Sequence, residues 1–303
     1  MPGLKEIRRR IGTVMSTKQI TRAMKLVSAA KLKRAQDLVT HGREFSTGLI
    51  RLMATIKSDL EARELSNPAF MAHDSIKHRT VIILSADRGL CGGYNTNLGK
   101  AFIAQESPEL MAKTDYIVLG RKGVSLFRRL KWQAKEEHEG LAENPVQWPL
   151  DHIAGNILNA FLRNETDEVS VYYTQFLSGL SQRPVKEIIL PIPATSDLNA
   201  DGHADSAAPT SAAKDVVLPL VKYSPSAEEI LRGLIPMLIK TQLRQAAFEA
   251  RASEHAARMA AMDSATHNAD ELIYKLQLFY NRARQSAITR ELIEVLGGAE
   301  AIK

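Results

Sequence analysis

Residues 85–100, SADRGLCGGYNTNLGK, contain the residue types of a phosphate-binding loop. A short apolar run, VIIL, ends at a cluster of glycines, and a lysine follows. Glycine-rich turns of this kind bind phosphate through backbone N–H groups, and the lysine contributes a positive charge. The spacing does not match, however, because G-x-x-x-x-G-K-[ST] would require a glycine at Tyr94 and a hydroxyl group at Ala101.

The glycines of this loop also lack the G-x-G-x-x-G spacing of a dinucleotide-binding turn. We therefore predict a structural turn between a strand and a helix, where close backbone approach or a positive φ requires glycine. Its defining residues are Gly89, Cys91, Gly92 and Gly93. Anion binding at the N-terminus of the following helix is the alternative.

The other residues with acid, base or metal-binding chemistry are not spaced as a known site. The histidines include no H-E-x-x-H pair, Ser85 and Asp87 have no base in a catalytic arrangement, and KEEHE around His138 is typical of a solvated charge run. Cys91 is the single cysteine, so we expect a packed small residue rather than a disulfide. The sequence predicts no catalytic residue, no metal ion and no cofactor.

The N-terminal region is a strongly basic helix. Residues 1–36 carry a net charge of +9, whereas the whole chain carries +6 and the remainder therefore −3. Helical spacing of apolar residues predicts one helix from about residue 4 to about residue 60. These residues are Ile7, Ile11, Val14, Ile20, Met24 and Val27. Nucleic acid and an acidic protein surface both fit such a helix as partners.

A second long helix is predicted at the C-terminal end. About 60 residues separate Pro236 from Gly297 without another proline or glycine. We expect a kink or a break at Pro236. Two apolar stripes give the predicted contact face: Ala257, Ala260, Ala261 and Ala265, then Leu272, Leu276, Phe279, Ala283 and Ala287. The two terminal helices are expected to pack as an antiparallel coiled coil, with an ordinary helical bundle as the alternative.

The middle of the chain predicts an α/β domain with a largely parallel sheet, because strand-like and helical runs alternate. The strand-like runs are 81–87, 115–120, 168–176 and 186–192, and the helical candidates lie around 95–106, 121–131 and 151–163. Residues 194–214 are poor in large apolar side chains and predict a mobile loop. No apolar run is long enough to span a membrane, and no signal-peptide core follows the basic start.

These features give four predicted regions. They are an N-terminal coiled-coil helix at 1–60, the α/β domain at 75–193, a flexible polar loop at 194–215, and a last strand with the C-terminal coiled-coil helix at 216–303.

Three segments together resemble one family. They are KEIRRRIGTVMSTKQITRAMKLVSAAKLKRAQ, the loop SADRGLCGGYNTNL, and the C-terminal segment that begins SEHAARMAAMDSATHNADELIYKLQ. All three are similar to signature segments of the gamma subunits of F-type ATP synthases, in the same order. The resemblance implies a rotor shaft without catalytic residues, whose coiled coil passes through a ring of three alpha and three beta subunits. Its α/β domain would lie beside the epsilon subunit and the membrane c-ring.

The resemblance also implies roles for particular residues. Arg284, Gln285 and Thr289 match a segment that hydrogen-bonds a loop of the beta subunit, Arg258 matches a functionally sensitive position, and at Met24 an added positive charge would impair coupling. A basic face towards acidic beta loops would consist of Arg8, Arg9, Arg10, Lys18, Arg22 and Lys25. An apolar bearing tip would consist of Ile288, Ile293, Val295, Leu296 and Ile302.

The same resemblance implies a peripheral subunit on the cytoplasmic face of a bacterial plasma membrane, associated with the membrane only through the complex. It implies no nucleic-acid partner, and the lone Cys91 excludes the cysteine-pair regulation of chloroplast gamma subunits. A nucleotide-dependent α/β enzyme and a basic coiled-coil nucleic-acid binder are the two rival hypotheses.

Overall fold

A computed structural model describes residues 4–62, 69, 76–106, 108–192 and 226–300. The chain divides into two compact units. The first contains the described residues of Met1–Ala30 and Arg258–Lys303, and the second those of Lys31–Ala257. The predicted loop at 194–214 and the predicted strand after it lie outside the described residues.

Twelve elements, counting helices, strands and one 3₁₀ turn, follow one another along the described residues. They are α1 (Leu4–Ala62), β1 (Arg79–Leu84), α2 (Tyr94–Gln105), α3 (Pro108–Met111), β2 (Thr114–Leu119), α4 (Arg121–Leu130), β3 (Glu136–His138), a 3₁₀ turn (Pro145–Gln147), α5 (Leu150–Leu162), β4 (Glu168–Phe176), β5 (Gln182–Leu190) and α6 (Ala227–Glu300). Helices α1 and α6 contribute residues to both units. The two predicted long helices are therefore confirmed.

The inward face of α1 follows a regular 4,3 spacing. In the first unit the positions with this spacing, all of them buried or half-buried, are Ile7, Ile11, Val14, Lys18, Thr21, Lys25 and Ser28. In the second unit they are Leu32, Ala35, Val39, Gly42, Ser46, Leu49, Met53, Ile56 and Leu60. An average of 3.5 residues per step is the period of a left-handed coiled coil.

The predicted stripe through Ile20, Met24 and Val27 is wrong. Ile20 is 61% exposed and Val27 is 55% exposed, while Met24 is half-buried. The 4,3 spacing selects Thr21 and Ser28 instead, which are 8% and 3% exposed. Apolar residues therefore do not mark the contact face in this part of the helix, because the buried residues there are themselves polar.

The contact face of α6 also differs in part from the prediction. Leu272 and Phe279 are exposed, and the inward positions are Ile273, Leu276, Tyr280, Ala283 and Ala287. In the alanine-rich part, Ala260 is exposed. Three small side chains with 0% exposure, Ala252, Ser253 and Ala256, lie in the second unit. Alanine occurs on every side of the helix there, so its spacing alone did not define a face.

Helix α6 continues through Pro236, so a break there is wrong, and the alternative of a kink stays a prediction. A proline removes one helical hydrogen bond and costs about 3 kcal/mol within a helix. Here the surrounding turns bury Leu231, Ile235, Leu238 and Ile239 in the core. Tertiary packing of this kind supplies most of the stability of helices in proteins and outweighs the local cost.

The sheet has the strand order β3-β2-β1-β4-β5. Strand β1 pairs in parallel with β2 and β4, and β2 pairs in parallel with β3. Only the pairing of β4 with β5 is antiparallel among the described strands. The prediction of a largely parallel sheet is confirmed.

The charge run KEEHE contains a strand that the sequence did not predict, because Glu136–His138 forms edge strand β3. Its residues pair with Ile117, Val118 and Leu119 of β2. The side chains stay partly exposed, so their charges remain hydrated while the backbone forms hydrogen bonds with β2. A run of three residues without β-branched side chains gives no strand signal in the sequence.

Apolar side chains cover both faces of the sheet. Val81 and Ile83 of β1 pack into a cluster rich in aromatic rings, with Phe102, Phe127 and Tyr172. Ile82 and Leu84 point to the other face and join a larger core. That core includes α5 and the parts of α1 and α6 that belong to the second unit. These contacts attach the sheet directly to α1 and α6 within the second unit.

The glycine that follows β2, Gly120, allows the backbone there to approach Ser85 closely. Gly120 has φ +100°, and a Cβ atom there would overlap the carbonyl oxygen of Ser85. We expect Gly120→Ala to lower the free energy of unfolding by about 3 kcal/mol or more. Gly155→Ala, in α5 with open space around it, should instead raise it by about 0.5–1 kcal/mol. Chemical denaturation checks both, and equal effects would contradict the expectation.

Four tyrosines of the second unit have pKa values raised above the usual value of about 10, with burial as the largest cause. They are Tyr94, Tyr116, Tyr172 and Tyr173. Their hydroxyls donate to Ala250 O, Glu106, Gln105 and Glu187, respectively.

Raised tyrosine pKa values make the fold sensitive to alkali. Unfolded tyrosines release their protons near pH 10, whereas the buried ones retain theirs, so stability is full below that pH and falls above it. We expect the urea midpoint to decrease steadily as pH rises above about 10. Tyr173→Phe should weaken this dependence. Tyr274→Phe, at a site 63% exposed, should leave it unchanged, and equal effects of the two variants would contradict the interpretation.

Candidate functional site

The polar residues of the glycine loop hold the backbone together. The Ser85 hydroxyl donates to Leu119 O at 2.9 Å and accepts from Gly123 N at 2.7 Å. The Asp87 carboxylate accepts backbone N–H groups from Arg121, Gly140 and Leu141. Both side chains therefore stabilise neighbouring loops, and these contacts give neither residue a catalytic partner.

The loop also packs on α6. Gly92 adopts φ +57°, and Leu90 adopts φ +60°. The Tyr94 hydroxyl donates to the Ala250 carbonyl of α6 at 3.1 Å. Ala86 and Cys91 are buried beside Tyr94, and Ala257 of α6 packs against them. The thiol donates weakly to Arg88 O at 3.8 Å and accepts from Asn95 Nδ2 at 3.2 Å. The turn thus seats the sheet domain on the helix.

In the first unit, polar contacts fix the alignment of α1 with α6. The line along which the two helices meet is called the seam below. Lys18 Nζ lies 2.5 Å from Asp270 Oδ1, and Lys25 Nζ lies 2.6 Å from Asp263 Oδ1. Between them the hydroxyls of Thr21 and Thr266 are 2.8 Å apart. As residue numbers rise along α1 they fall along α6, so the helices are antiparallel. The antiparallel pairing predicted from the sequence is confirmed.

The structure separates the predicted basic face into two groups. Lys18 and Lys25 are half-buried on the seam and neutralised by aspartates of the same chain. The arginines Arg8, Arg9, Arg10 and Arg22 are exposed. Arg10 pairs with Glu6 at 2.8 Å on the same helix. The exposed arginines are therefore the better placed of these residues to meet an acidic partner.

The predicted beta-contact residues of α6 lie in contrasting environments. Arg258 is 8% exposed, whereas Arg284, Gln285 and Thr289 are exposed. The Thr289 hydroxyl donates to the Gln285 carbonyl at 3.0 Å. A shallow groove brings Gln285 and Thr289 together with four residues that the sequence analysis did not place there. They are Arg282, Ser286, Arg290 and Ile293.

Exposed aliphatic side chains follow this groove. Ile288, Ile293, Val295 and Leu296 are between 48% and 70% exposed. Leu292, which the sequence analysis omitted, is 57% exposed. Ile302 lies outside the described residues. A cluster of exposed large apolar residues is typical of a surface that meets another protein.

The described part of the chain contains neither a metal-binding cluster nor a membrane-spanning helix. No group of three or more histidine, cysteine, aspartate or glutamate side chains in that part of the chain is arranged to hold a metal ion. Likewise, none of the described helices combines the length and the apolar character needed to cross a bilayer.

Comparison with known proteins identifies the family. A sequence model of the family described as ATP synthase matches residues 3–302. The ATP synthase gamma chain of Heliobacterium modesticaldum is 37% identical over 304 residues, covering all of both chains. The chain belongs to the ATP synthase gamma chain family. The gamma chain of Anaeromyxobacter sp. Fw109-5 is 38% identical over 306 residues, again over all of both chains.

Solved structures show the same fold at lower identity. A chain of the Euglena gracilis mitochondrial ATP synthase, solved with its F1 and c-ring, is similar with a TM-score of 0.63 and 17% identity. The similarity covers 99% of this chain and 94% of that one. A chain from the central stalk and c-ring of the Tetrahymena thermophila mitochondrial enzyme gives 0.58 at 19% identity. It covers 81% of this chain and 99% of that one.

The threonine pair offers a test of the polar seam. Thr21→Val should lower the free energy of unfolding by about 0.5–1 kcal/mol, because it removes the bond between the two hydroxyls at a half-buried position, while Thr266 keeps its bond to the Met262 carbonyl. A double-mutant cycle with Thr266→Val should return a coupling energy of about 0.5–1 kcal/mol. Thr17→Val combined with Thr266→Val is the control and should show none, since Thr17 bonds to Thr13 O. Coupling of equal size in both cycles would contradict a direct bond.

Proposed function

We propose that this gamma chain is the rotating central stalk of an F-type ATP synthase. It couples ion flow through the membrane c-ring to ATP synthesis or hydrolysis on a ring of alpha and beta subunits. The observation that carries the proposal is the antiparallel pairing of α1 with α6 in the first unit, whose α6 carries the exposed aliphatic side chains. Family membership over the whole chain supports it.

The paired helices suit the transmission of torque. A single helix bends and twists easily, whereas two helices joined side by side resist both. The seam contacts at Lys18, Thr21 and Lys25 prevent sliding of one helix along the other, because each must meet one partner on α6. Such a pair transmits a twist that is applied to one end.

The exposed aliphatic residues suit a rotating contact. Hydrophobic attraction is non-directional, so an apolar tip can turn inside an apolar sleeve without a preferred angle. Directional contacts are proposed on the same stretch of α6, where Arg284, Gln285 and Thr289 present exposed polar groups to a loop of the beta subunit. Arg258 and Met24 are proposed to act at a second coupling position. Exposed Arg8, Arg9, Arg10 and Arg22 would meet acidic beta loops.

The remaining assignments follow from this role. The chain itself is proposed to be non-catalytic, with the nucleotide sites on the alpha and beta subunits. Its α/β domain would contact the epsilon subunit and the c-ring. We place the assembly on the cytoplasmic face of a bacterial plasma membrane, with this chain as a peripheral subunit.

Reconstitution tests the proposal. The chain is mixed with the alpha and beta subunits of its own organism, and complexes are isolated by size. We expect one copy for three alpha–beta pairs, with ATP hydrolysis that depends on this chain. Absence of a complex, together with nucleotide turnover or salt-dependent nucleic-acid binding by the isolated chain, would instead support one of the rival hypotheses.

Met24→Lys tests the proposed coupling position. A lysine here would add an attractive contact to an acidic beta loop, so ion pumping per ATP hydrolysed should fall while the complex still assembles. Val27→Lys adds the same charge one turn further along, at a site 55% exposed, and serves as the control. Equal losses in both variants would show a general effect of charge and would remove Met24 from the proposed site.

A further inference from the structure

One polar cluster of the second unit joins three separate segments. The segment 142–145 follows β3 and precedes α5. It meets α1 at Lys31 and α6 at Arg251 and His255. A cavity of about 280 Å³ lies beside the cluster, lined by residues of all three segments.

Glu143 links both long helices through its side chain. One carboxylate oxygen accepts from Lys31 Nζ at 2.9 Å, and the other lies 3.0 Å from His255 Nε2. Partial burial alone would raise the pKa of this carboxyl group. The hydrogen bond from Lys31 and the charges of Arg251, His255 and Lys31 outweigh burial and leave the pKa below its usual value. Glu143 is thus held as an anion between two helices.

Arg251 holds the backbone of the same segment. Its Nη2 donates to Ala142 O at 2.8 Å, and its Nε donates to Glu143 O at 3.2 Å. Nη1 donates to Glu254 at 2.7 Å, and the guanidinium lies 5.7 Å from the centre of the Trp148 ring. The Arg251 side chain is only 9% exposed, so these bonds form where little water competes.

The Ala142 carbonyl oxygen also accepts a second hydrogen bond, from a side chain of the sheet domain. Trp148 Nε1 donates to it at 2.9 Å, so this one carbonyl joins α6 to a buried residue of the sheet domain. Trp148 is 6% exposed and belongs to the larger core. The segment is therefore fixed to the domain by Trp148 and to the helices by Arg251 and Glu143.

We propose that Arg251 and Glu143 form a torque clasp, the polar joint through which twisting force passes between the sheet domain and the helical pair. The proposal rests on the rotary function proposed above. Apolar packing between sheet and helices is non-directional and gives no atom a fixed partner. Hydrogen bonds to fixed carbonyls are directional, and the planar guanidinium holds two of them at once. Under rotation, the clasp keeps the domain from slipping round α6.

A joint of this kind matters only under load. ATP hydrolysis by the complex without its membrane sector turns the stalk freely, so a weakened clasp should leave that rate unchanged. Ion pumping by the complete enzyme in vesicles requires force to pass from the helices into the domain. Pumping against an opposing gradient should therefore reveal the loss, and the deficit should grow with the gradient.

The test uses the complete complex with Arg251→Gln and Arg251→Lys. We expect ions pumped per ATP hydrolysed to fall about two- to ten-fold in Arg251→Gln under a gradient. Arg251→Lys keeps the charge but loses the planar pair of donors, so its ratio should fall nearly as far. Glu143→Gln, whose side chain is 54% exposed, should show a smaller loss and is the variant least affected by folding defects.

Two controls separate the clasp from general destabilisation. Arg232→Gln removes an exposed arginine of the same helix that pairs within the helix with Glu228, and it should pump normally. Lys31→Cys with Glu143→Cys, joined by a short bis-maleimide linker across the cavity, should restore pumping to an Arg251→Gln complex. Cys91 is 2% exposed and should not compete for the reagent.

The outcomes distinguish the clasp from the rotary function itself. If the unaltered chain couples hydrolysis to pumping and the Arg251 and Glu143 variants couple equally well at every gradient, the clasp is overturned while the rotary function stands. If the unaltered chain neither assembles nor couples, the rotary function fails first. A loss of pumping that equals the loss of free hydrolysis, without rescue by the linker, would mark a folding defect and overturn the clasp.

Discussion

The structure depends on one constraint: each long helix has a narrow inward face that is stable only when it is covered. Most of the stability of a helix in a protein comes from packing one face against a partner, and helix propensity contributes less. In the first unit the partner of α1 is α6, and the contacts bridge 245 residues of sequence at Thr21 and Thr266. In the second unit both helices also cover the sheet through α5 and the larger core. The chain between them must therefore fold back before the inward face of either helix is covered.

The two units cover that face with different chemistry. In the second unit the inward positions of α1 are largely aliphatic, including Leu49, Met53 and Ile56, each at most 7% exposed. In the first unit the same spacing passes through Lys18, Thr21 and Lys25. Half-exposed ion pairs contribute little stability, about 0–1 kcal/mol each. Their value lies in specificity, since a lysine on the seam accepts few alternative alignments.

The polar residues of the glycine loop make structural contacts in this architecture. Ser85 and Asp87 hold backbone groups, and Tyr94 reaches the Ala250 carbonyl of α6. A loop after a parallel strand is a common place for phosphate binding, and here the corresponding space is used to attach the sheet to a helix. In the proposed function the chain would contribute contacts and stiffness, with the chemistry of ATP on its proposed partners.

The sequence alone determined the two long helices, four of the five strands, the parallel character of the sheet and the family, because each rests on local periodicity or on motifs. It did not determine which face of each helix lies inward. Lys18, Thr21 and Lys25 look like surface residues until Asp263, Thr266 and Asp270 are placed opposite them. Likewise, β3 exists because β2 offers a free edge, and α6 passes through Pro236 because the core holds both sides of it. The clasp of Arg251 and Glu143 brings together residues more than 100 positions apart, and only tertiary structure decides such contacts.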